Sequence, residues 1–288
     1  MEEILFTKMH GLGNDYIYIN CLASTPRQIQ QLAIEMSRPH TGVGSDGIII
    51  ICPSDVADFR MRIFNADGSE ARMCGNGARC VGKYIHDYGL SDSLSLTLET
   101  LGGIKRIDLV AGPDGLIESA TVNMGRPDFR CSAIPAVCPD PEMIDRPIAI
   151  DADHTYNITA VSMGNPHGVI VTPLPLDSLP LADIGPRLEH HPAWPERANI
   201  EFINIISRHE LAMRVWERGS GETQACGTGA CASAAVACRL GLAEMPVTVH
   251  LPGGDLLIDT TPDGEILMTG PAVTSFEGRY FRQSSSSL

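Results

Sequence analysis

Short apolar runs separated by turn residues dominate the first half of the chain. Residues 5–9 and 16–20 alternate apolar and polar positions on either side of the turn HGLGN at 10–14, which predicts an antiparallel hairpin. The same turn-bounded pattern predicts further strands at 60–64, 94–98, 104–110 and 119–124. The pattern therefore favours a sheet-rich domain with few helices.

Two stretches of this half carry helical signals instead. Thr25 followed by Pro26 is a capping residue with proline at the first helical position, which predicts an amphipathic helix to about Arg38. A second helix is predicted from Cys74 to His86, with Gly89 as its stop.

An eighteen-residue segment of the first half occurs a second time. Residues 61–78, MRIFNADGSEARMCGNGA, recur 152 positions later at 213–230 as MRVWERGSGETQACGTGA. Three shorter motifs recur in the same order at nearly the same spacing: GN at 13–14 and 164–165, GG at 102–103 and 253–254, and PDG at 113–115 and 262–264. Four ordered anchors at about half the chain length predict a duplicated domain.

The duplication gives approximate domain boundaries. We expect one α/β domain at 1–121, completed by the last strand at about 271–282, and a second at 122–270. The proline-rich interval 173–195 is interpreted as an insertion that carries one short helix. The serine-rich end, 283–288, is expected to be a disordered tail.

Composition narrows the class of protein. A chain of 288 residues with 43% hydrophobic content can bury two cores, and its net charge of −14 argues against binding nucleic acid or anionic membranes. The start of the chain lacks a signal-peptide pattern, and the longest aliphatic run, 48–51, cannot span a bilayer. These features predict a soluble cytoplasmic protein.

The nine cysteines are expected to be reduced thiols. The sequence has no C-x-x-C and no H-E-x-x-H motif, so neither a disulfide framework nor a metal site is expected. Cys80, Cys231 and Cys238 fall inside predicted helices and are interpreted as core residues.

The repeated cysteines, Cys74 and Cys226, each stand where a turn enters a helix. The helix dipole and unpaired N–H groups there favour thiolate, which can lower a cysteine pKa from about 8.5 to roughly 3.5–7.5. The glycines that follow let the backbone approach a ligand, and free N–H groups would hold a carboxylate. One thiolate could then remove a Cα proton while the other thiol protonates the opposite face, inverting a stereocentre without a cofactor.

Two alternatives remain for this pair. Both cysteines could be buried structural residues, or they could form a redox couple. Their identical contexts in two domains favour matched acid and base roles over a nucleophile and a resolving thiol.

Six motifs together resemble the diaminopimelate epimerase family: KMHGLGND (8–15), FNADGS (64–69), CGNGA (74–78), MGNPH (163–167), ERG (217–219) and TQACGTGA (223–230). The resemblance covers residues 8 to about 270. It implies cofactor-independent epimerisation of LL- to meso-diaminopimelate, in lysine and peptidoglycan precursor biosynthesis. It further implies a homodimer of chains with two pseudo-symmetric α/β domains, each a curved mixed or antiparallel sheet wrapped around a central helix, with the active site in the interdomain cleft.

The resemblance also assigns roles by position. Cys74 and Cys226 match the paired acid and base, Glu217 matches an acidic group near the reacting amino group, and His167 is an auxiliary candidate that could equally cap a loop. The helix ends that hold the α-carboxylate match Gly75, Asn76, Gly227 and Thr228. The polar set that grips the substrate, largely at its non-reacting centre, matches Asn14, Asn65, Asn165, Asn199 and Arg218.

One position departs from the family pattern, and two rival functions stay open. Some members carry glutamine where this chain has Gly47, so a side-chain contact there cannot be transferred. A racemase acting on proline or hydroxyproline is the nearest rival, although its first motif usually reads CGH where this chain has Asn76. A non-catalytic small-ligand binder on the same scaffold is the other, and it would not need both thiols.

Overall fold

A computed structural model describes residues 2–282, and the predicted tail at 283–288 lies outside them. The chain divides into two compact units. The first unit contains the residues up to Val122 and those from Gly270 onward, and the second unit is Asn123–Thr269. Within residues 2–282, no helix is long and apolar enough to cross a membrane.

The first half of the chain contains strands and two α-helices in this order: β1 (Glu2–Gly11), β2 (Asn14–Asn20), α1 (Ile29–Ser37), β3 (Gly47–Cys52), β4 (Phe59–Asn65), β5 (Glu70–Ala71), α2 (Gly75–Asp87), β6 (Ser95–Thr100), β7 (Gly103–Ala111) and β8 (Ile117–Gly125). The second half continues with β9 (Arg146–Ala149), β10 (Thr155–Ser162), β11 (Pro166–Val171), α3 (Leu181–Glu189), β12 (Asn199–Ser207), β13 (Glu210–Glu217), β14 (Gly221–Glu222), α4 (Gly227–Arg239), β15 (Val247–Leu251), β16 (Gly254–Thr260), β17 (Ile266–Pro271) and β18 (Val273–Arg282).

The first unit is a mixed sheet with a helix on each face. Its strands pair in the order β18, β1, β2, β3, β4, β6, β7, β8, and only β2–β3 and β4–β6 among these pairs are parallel. Helix α2 contacts β1 and β2 as well as β7, so the sheet curves around it. The predicted hairpin at the start of the chain is confirmed as β1 and β2.

The second unit repeats this arrangement strand for strand. Its order is β9, β10, β11, β12, β13, β15, β16, β17, with parallel pairs again at the third and fifth positions, β11–β12 and β13–β15. Helix α4 takes the place of α2, and contacts strands from β10 to β16. The predicted duplication of an α/β domain is therefore confirmed.

Strand β3 is buried along its whole length on both faces of the sheet, which explains the continuous aliphatic run at 48–51. Ile48 and Ile50 of β3 belong to the core cluster that includes Leu32 and Met36 of α1. Ile49, between them, points the other way, because a Cβ placed on Gly77 of α2 would meet its side chain.

The short helix expected within 173–195 is confirmed as α3, whereas the insertion expected there and the expected start of the first helix were wrong. The interval 173–195 is not an insertion, because the β11–β12 connection (172–198, 27 residues) contains α3 as the β2–β3 connection (21–46, 26 residues) contains α1. Its prolines, one of them inside α3, obscured the correspondence. Helix α1 begins at Ile29 rather than near Thr25, since Gln28 has a left-handed backbone with φ of 49°.

Candidate active site

Cys74 caps the amino terminus of α2. Its backbone is extended, with φ of −137°, and its Sγ accepts a hydrogen bond from the Gly77 N–H at 3.3 Å. The thiol also lies 3.3 Å from Oδ1 of Asn14. Asn14 Nδ2 in turn donates to the Asp46 carboxylate at 2.8 Å, which orients the amide. The prediction that Cys74 sits at a helix start is confirmed, and the structure brings Asn14 to it.

The other candidates of the first unit lie at the same helix end or at the end of β4. Gly75 and Asn76 form the first turn of α2 and are buried. Asn65 ends β4, where its Nδ2 donates to Ser69 at 3.1 Å. At Gly47, a Cβ would lie 2.2 Å from the Phe64 carbonyl oxygen, so the backbone here leaves no room for a side chain.

Cys226 caps the amino terminus of α4 in an almost identical backbone conformation, with φ of −118°. Its thiol donates to Oε2 of Glu217 at 3.2 Å and lies 3.6 Å from the Thr228 hydroxyl. Thr223 donates to the other Glu217 oxygen at 2.5 Å. Cys226 is 4% exposed. The structure thus places Cys226, Glu217 and Thr228 in one contact network.

The surroundings of Cys226 favour the protonated thiol. Burial, reinforced by the carboxylates of Glu217 and Glu201, raises the pKa of the Cys226 thiol well above its usual range. The expectation that the helix terminus lowers the pKa of both cysteines is therefore wrong for Cys226, because desolvation and two acidic neighbours outweigh the helix. Burial also raises the pKa of Glu217, against the opposing hydrogen bonds from Thr223 and Cys226.

A hydrogen-bonded chain runs from β12 to the start of α4. His167 is fully buried, with Nδ1 2.6 Å from Oε1 of Glu201 and Nε2 2.9 Å from Oδ1 of Asn165. Asn165 Nδ2 donates to the Thr228 hydroxyl at 3.4 Å. His167 is therefore a bonded member of this site and not the cap of a loop.

Asn199 and Arg218 form a second contact within this unit. Asn199 Oδ1 accepts from the Arg218 backbone N–H at 2.9 Å, and its Nδ2 donates to the Pro166 carbonyl at 3.1 Å. The Arg218 guanidinium donates to the Glu196 carbonyl at 3.1 Å and is half-buried. Asn199 thus orients the turn that carries Glu217 and Arg218.

Three residues of the site were missed by sequence reasoning: Asp46, Glu201 and Thr223. Thr223 begins the TQACGTGA motif, and Glu201 is a charged residue between Ile200 and Phe202 of β12, so both had a readable signal. Asp46 had no such signal in the sequence beyond its place in a glycine-rich loop. Among residues 2–282, no three His, Cys, Asp or Glu side chains are grouped to bind a metal ion.

Comparison with known sequences gives full-length matches. The family model for diaminopimelate epimerase matches residues 6–130 and 159–275. A diaminopimelate epimerase of Acetivibrio thermocellus is 50% identical over 275 residues, covering 95% of this chain and 97% of that protein. One from Methanococcus maripaludis is 46% identical over 274 residues, covering 95% and 98%.

Solved structures share the fold at low sequence identity. A phenazine biosynthesis protein of the PhzF family from Bacillus anthracis matches with a TM-score of 0.69 and 19% identity, over 98% of this chain and all of that one. A hydroxyproline epimerase from Agrobacterium vitis, solved with trans-4-hydroxy-L-proline, matches with a TM-score of 0.66 and 14% identity, over 96% and 92%.

Proposed function

This chain belongs to the diaminopimelate epimerase family, and we propose that it interconverts LL- and meso-diaminopimelate in lysine and peptidoglycan precursor biosynthesis. It is an isomerase. The observation that best supports this activity is the 50% identity to a diaminopimelate epimerase over 95% of the chain. A cysteine at the start of each central helix gives that activity a chemical basis.

The reaction needs an acid and a base on opposite faces of one carbon. In our proposal one cysteine, as thiolate, takes the Cα proton, and the other, as thiol, gives its proton to the opposite face. The N–H groups of Gly75 and Asn76 on α2, and of Gly227 and Thr228 on α4, stabilise the α-carboxylate as negative charge builds up next to it. No redox change occurs, and the protein ends each turnover with its proton on the other sulfur.

The two thiols differ in their surroundings. Because the raised pKa of Cys226 favours its protonated form, we assign Cys226 as the acid and Cys74 as the base in the first turnover of the free enzyme. After that turnover Cys74 is the thiol and Cys226 the thiolate. This form of the enzyme acts on the opposite epimer. The same desolvation makes a Cys226 thiolate a strong base.

The remaining polar residues suit a substrate with two amino-acid ends. Glu217 can bind the reacting ammonium group, and Arg218 can bind the distal carboxylate through two parallel hydrogen bonds. Asparagine amides can serve both an ammonium and a carboxylate. We assign this gripping role to Asn14, Asn65, Asn165 and Asn199.

We also propose a cytoplasmic homodimer. All nine cysteines lie within the described residues and are reduced, as a reducing compartment would keep them. The paired strands β1 and β18 expose Leu5 and Phe281 on the same face of the sheet, where a second copy would cover these apolar side chains. Light scattering of the purified protein tests the dimer.

The experiment that tests the activity is α-hydrogen exchange in deuterated water against a panel of amino acids. We expect exchange and epimerisation with diaminopimelate. Exchange with proline or hydroxyproline in its place would support the rival racemase, and no exchange with any amino acid would support a binding protein.

A further inference from the structure

A fully buried histidine–glutamate pair lies next to Cys226 in the second unit. Both side chains, His167 and Glu201, have 0% exposure, and their Nδ1 and Oε1 atoms are 2.6 Å apart. Oε2 of Glu201 has no hydrogen-bond partner among residues 2–282. A buried carboxylate is strongly disfavoured unless it is paired, so His167 is what keeps Glu201 in this position.

The strand pattern explains why this carboxylate faces the catalytic helix. Ile200 and Phe202 of β12 belong to the apolar cluster shared with α3, so Glu201 between them points to the other face of the sheet. A Cβ placed on Gly229 of α4 would lie 2.8 Å from Oε1 of Glu201 and 3.3 Å from Sγ of Cys226. Because the second glycine of the CGTG motif has no side chain, Glu201 can approach the start of α4 at this position.

The first unit has no such carboxylate. The residue 152 positions earlier is Ile49, whose Cδ1 would lie 2.6 Å from a Cβ on Gly77, the counterpart of Gly229. The same opening in the helix thus receives a methyl group in one unit and a carboxyl oxygen in the other.

The pair also fixes the direction of the hydrogen bonds that lead to the site. Nδ1 of His167 faces a carboxylate oxygen, and Nε2 faces Oδ1 of Asn165. With the Asn165 amide in this orientation, hydrogen bonds at both positions require a hydrogen on each ring nitrogen. Asn165 must then present its Nδ2 hydrogens to Thr228, at the start of α4. A neutral ring that accepted at Nε2 would turn the amide over and present its oxygen there.

We infer that Glu201 is a positioning residue, which holds His167 with both ring nitrogens protonated and through it points the Asn165 amide donors at the substrate. This inference rests on the proposed function. The other titratable groups facing the pair are Glu217 from β13 and Cys226 from the cap of α4. Glu201 itself does not touch the substrate.

The test is a double-mutant cycle on the full-length enzyme, with E201Q, H167N and the double variant. Glutamine keeps the shape of Glu201 and an acceptor oxygen but removes the charge. We expect E201Q to lower kcat/KM for diaminopimelate about 10- to 100-fold, since a misdirected contact costs up to about 100-fold. In the H167N background, E201Q should add little, because its effect passes through the ring.

Two further measurements separate positioning from folding. E210Q removes an equal charge from an exposed residue of β13, and we expect it to match the wild-type rate. Nitrogen NMR of the His167 ring in the wild-type protein should show two protonated nitrogens at neutral pH, and this needs no variant.

Each outcome bears on one claim. Wild-type kcat/KM in a folded E201Q, an undiminished effect of E201Q in the H167N background, or a His167 ring with a bare Nε2 would overturn the role of Glu201. If E201Q does not fold, the ring state in the wild-type protein decides. Absence of diaminopimelate epimerisation by the wild-type enzyme would refute the proposed function instead.

Discussion

The amino termini of α2 and α4 have nearly the same backbone but different surroundings. Both begin with a cysteine cap followed by Gly-x-Gly. Around Cys74 lie an amide, Asn14, and the apolar Ile49; around Cys226 lie the carboxylates of Glu217 and Glu201. The difference shows that two thiols in matching helix positions have different neighbours, and that the neighbours of Cys226 help to raise the pKa of its thiol.

The divergence lies in residues that the repeat does not share. At the end of β13, Glu217 and Arg218 stand where the first unit has Asn65 and Ala66. Glu217 therefore has two effects, because the carboxylate that can bind the substrate's ammonium group also raises the pKa of Cys226. Binding of that ammonium group would offset the raised pKa at the moment when Cys226 reacts.

Among the changes that test this comparison, removal of either thiol has the largest expected effect on the rate of epimerisation. C74A and C226A should each lower kcat for epimerisation by about 100- to 10,000-fold, the range for a lost general acid or base, with little change in the far-UV circular dichroism spectrum. The measurement is initial rate in both directions. Epimerisation persisting near the wild-type rate in either variant would mean that the two thiols do not form an acid and base pair.

Exchanging the matched glycines has an intermediate expected effect. In G229A the new Cβ meets an oxygen held by His167 and crowds the Cys226 sulfur, so we expect kcat/KM to fall about 10- to 100-fold. In G77A it meets the ends of Ile49 and Met61, and we expect mainly a loss of about 1–3 kcal/mol in unfolding free energy from overpacking. Kinetics and urea unfolding on both variants give the comparison, and equal kinetic losses would contradict it.

The smallest expected effect is on the pH dependence of stability. Because the pKa of the Cys226 thiol is raised in the folded state, its contribution is fully present below the unfolded pKa of about 8.5 and is lost as the pH rises above it. We expect the wild type to lose up to about 1.4 kcal/mol more per pH unit above that point than C226S. Urea unfolding under reductant, from neutral to about pH 10, measures the difference; parallel curves would contradict the assignment.

The repeat, the sheet-rich duplicated fold and both cysteine caps could be predicted because each rests on local pattern. The start of α1 could not, since the left-handed backbone at Gln28 overrides the capping signal of Thr25 and Pro26. The correspondence between α3 and α1 was hidden by the prolines around and inside α3. The state of Cys226 was missed for a different reason: helix position is local, whereas burial and the approach of Glu201 from another strand are tertiary.

The most direct test of the two-thiol account is the position of solvent deuterium at early conversion. LL-diaminopimelate is incubated with the enzyme in deuterated water, and the remaining substrate and the meso product are separated and analysed by mass spectrometry. Since the acid is a solvent-exchanged thiol distinct from the base, we predict deuterium at the inverted carbon of the product and almost none in the remaining substrate. Product that keeps the original hydrogen would show that a single group removes and returns the proton, and would contradict the account.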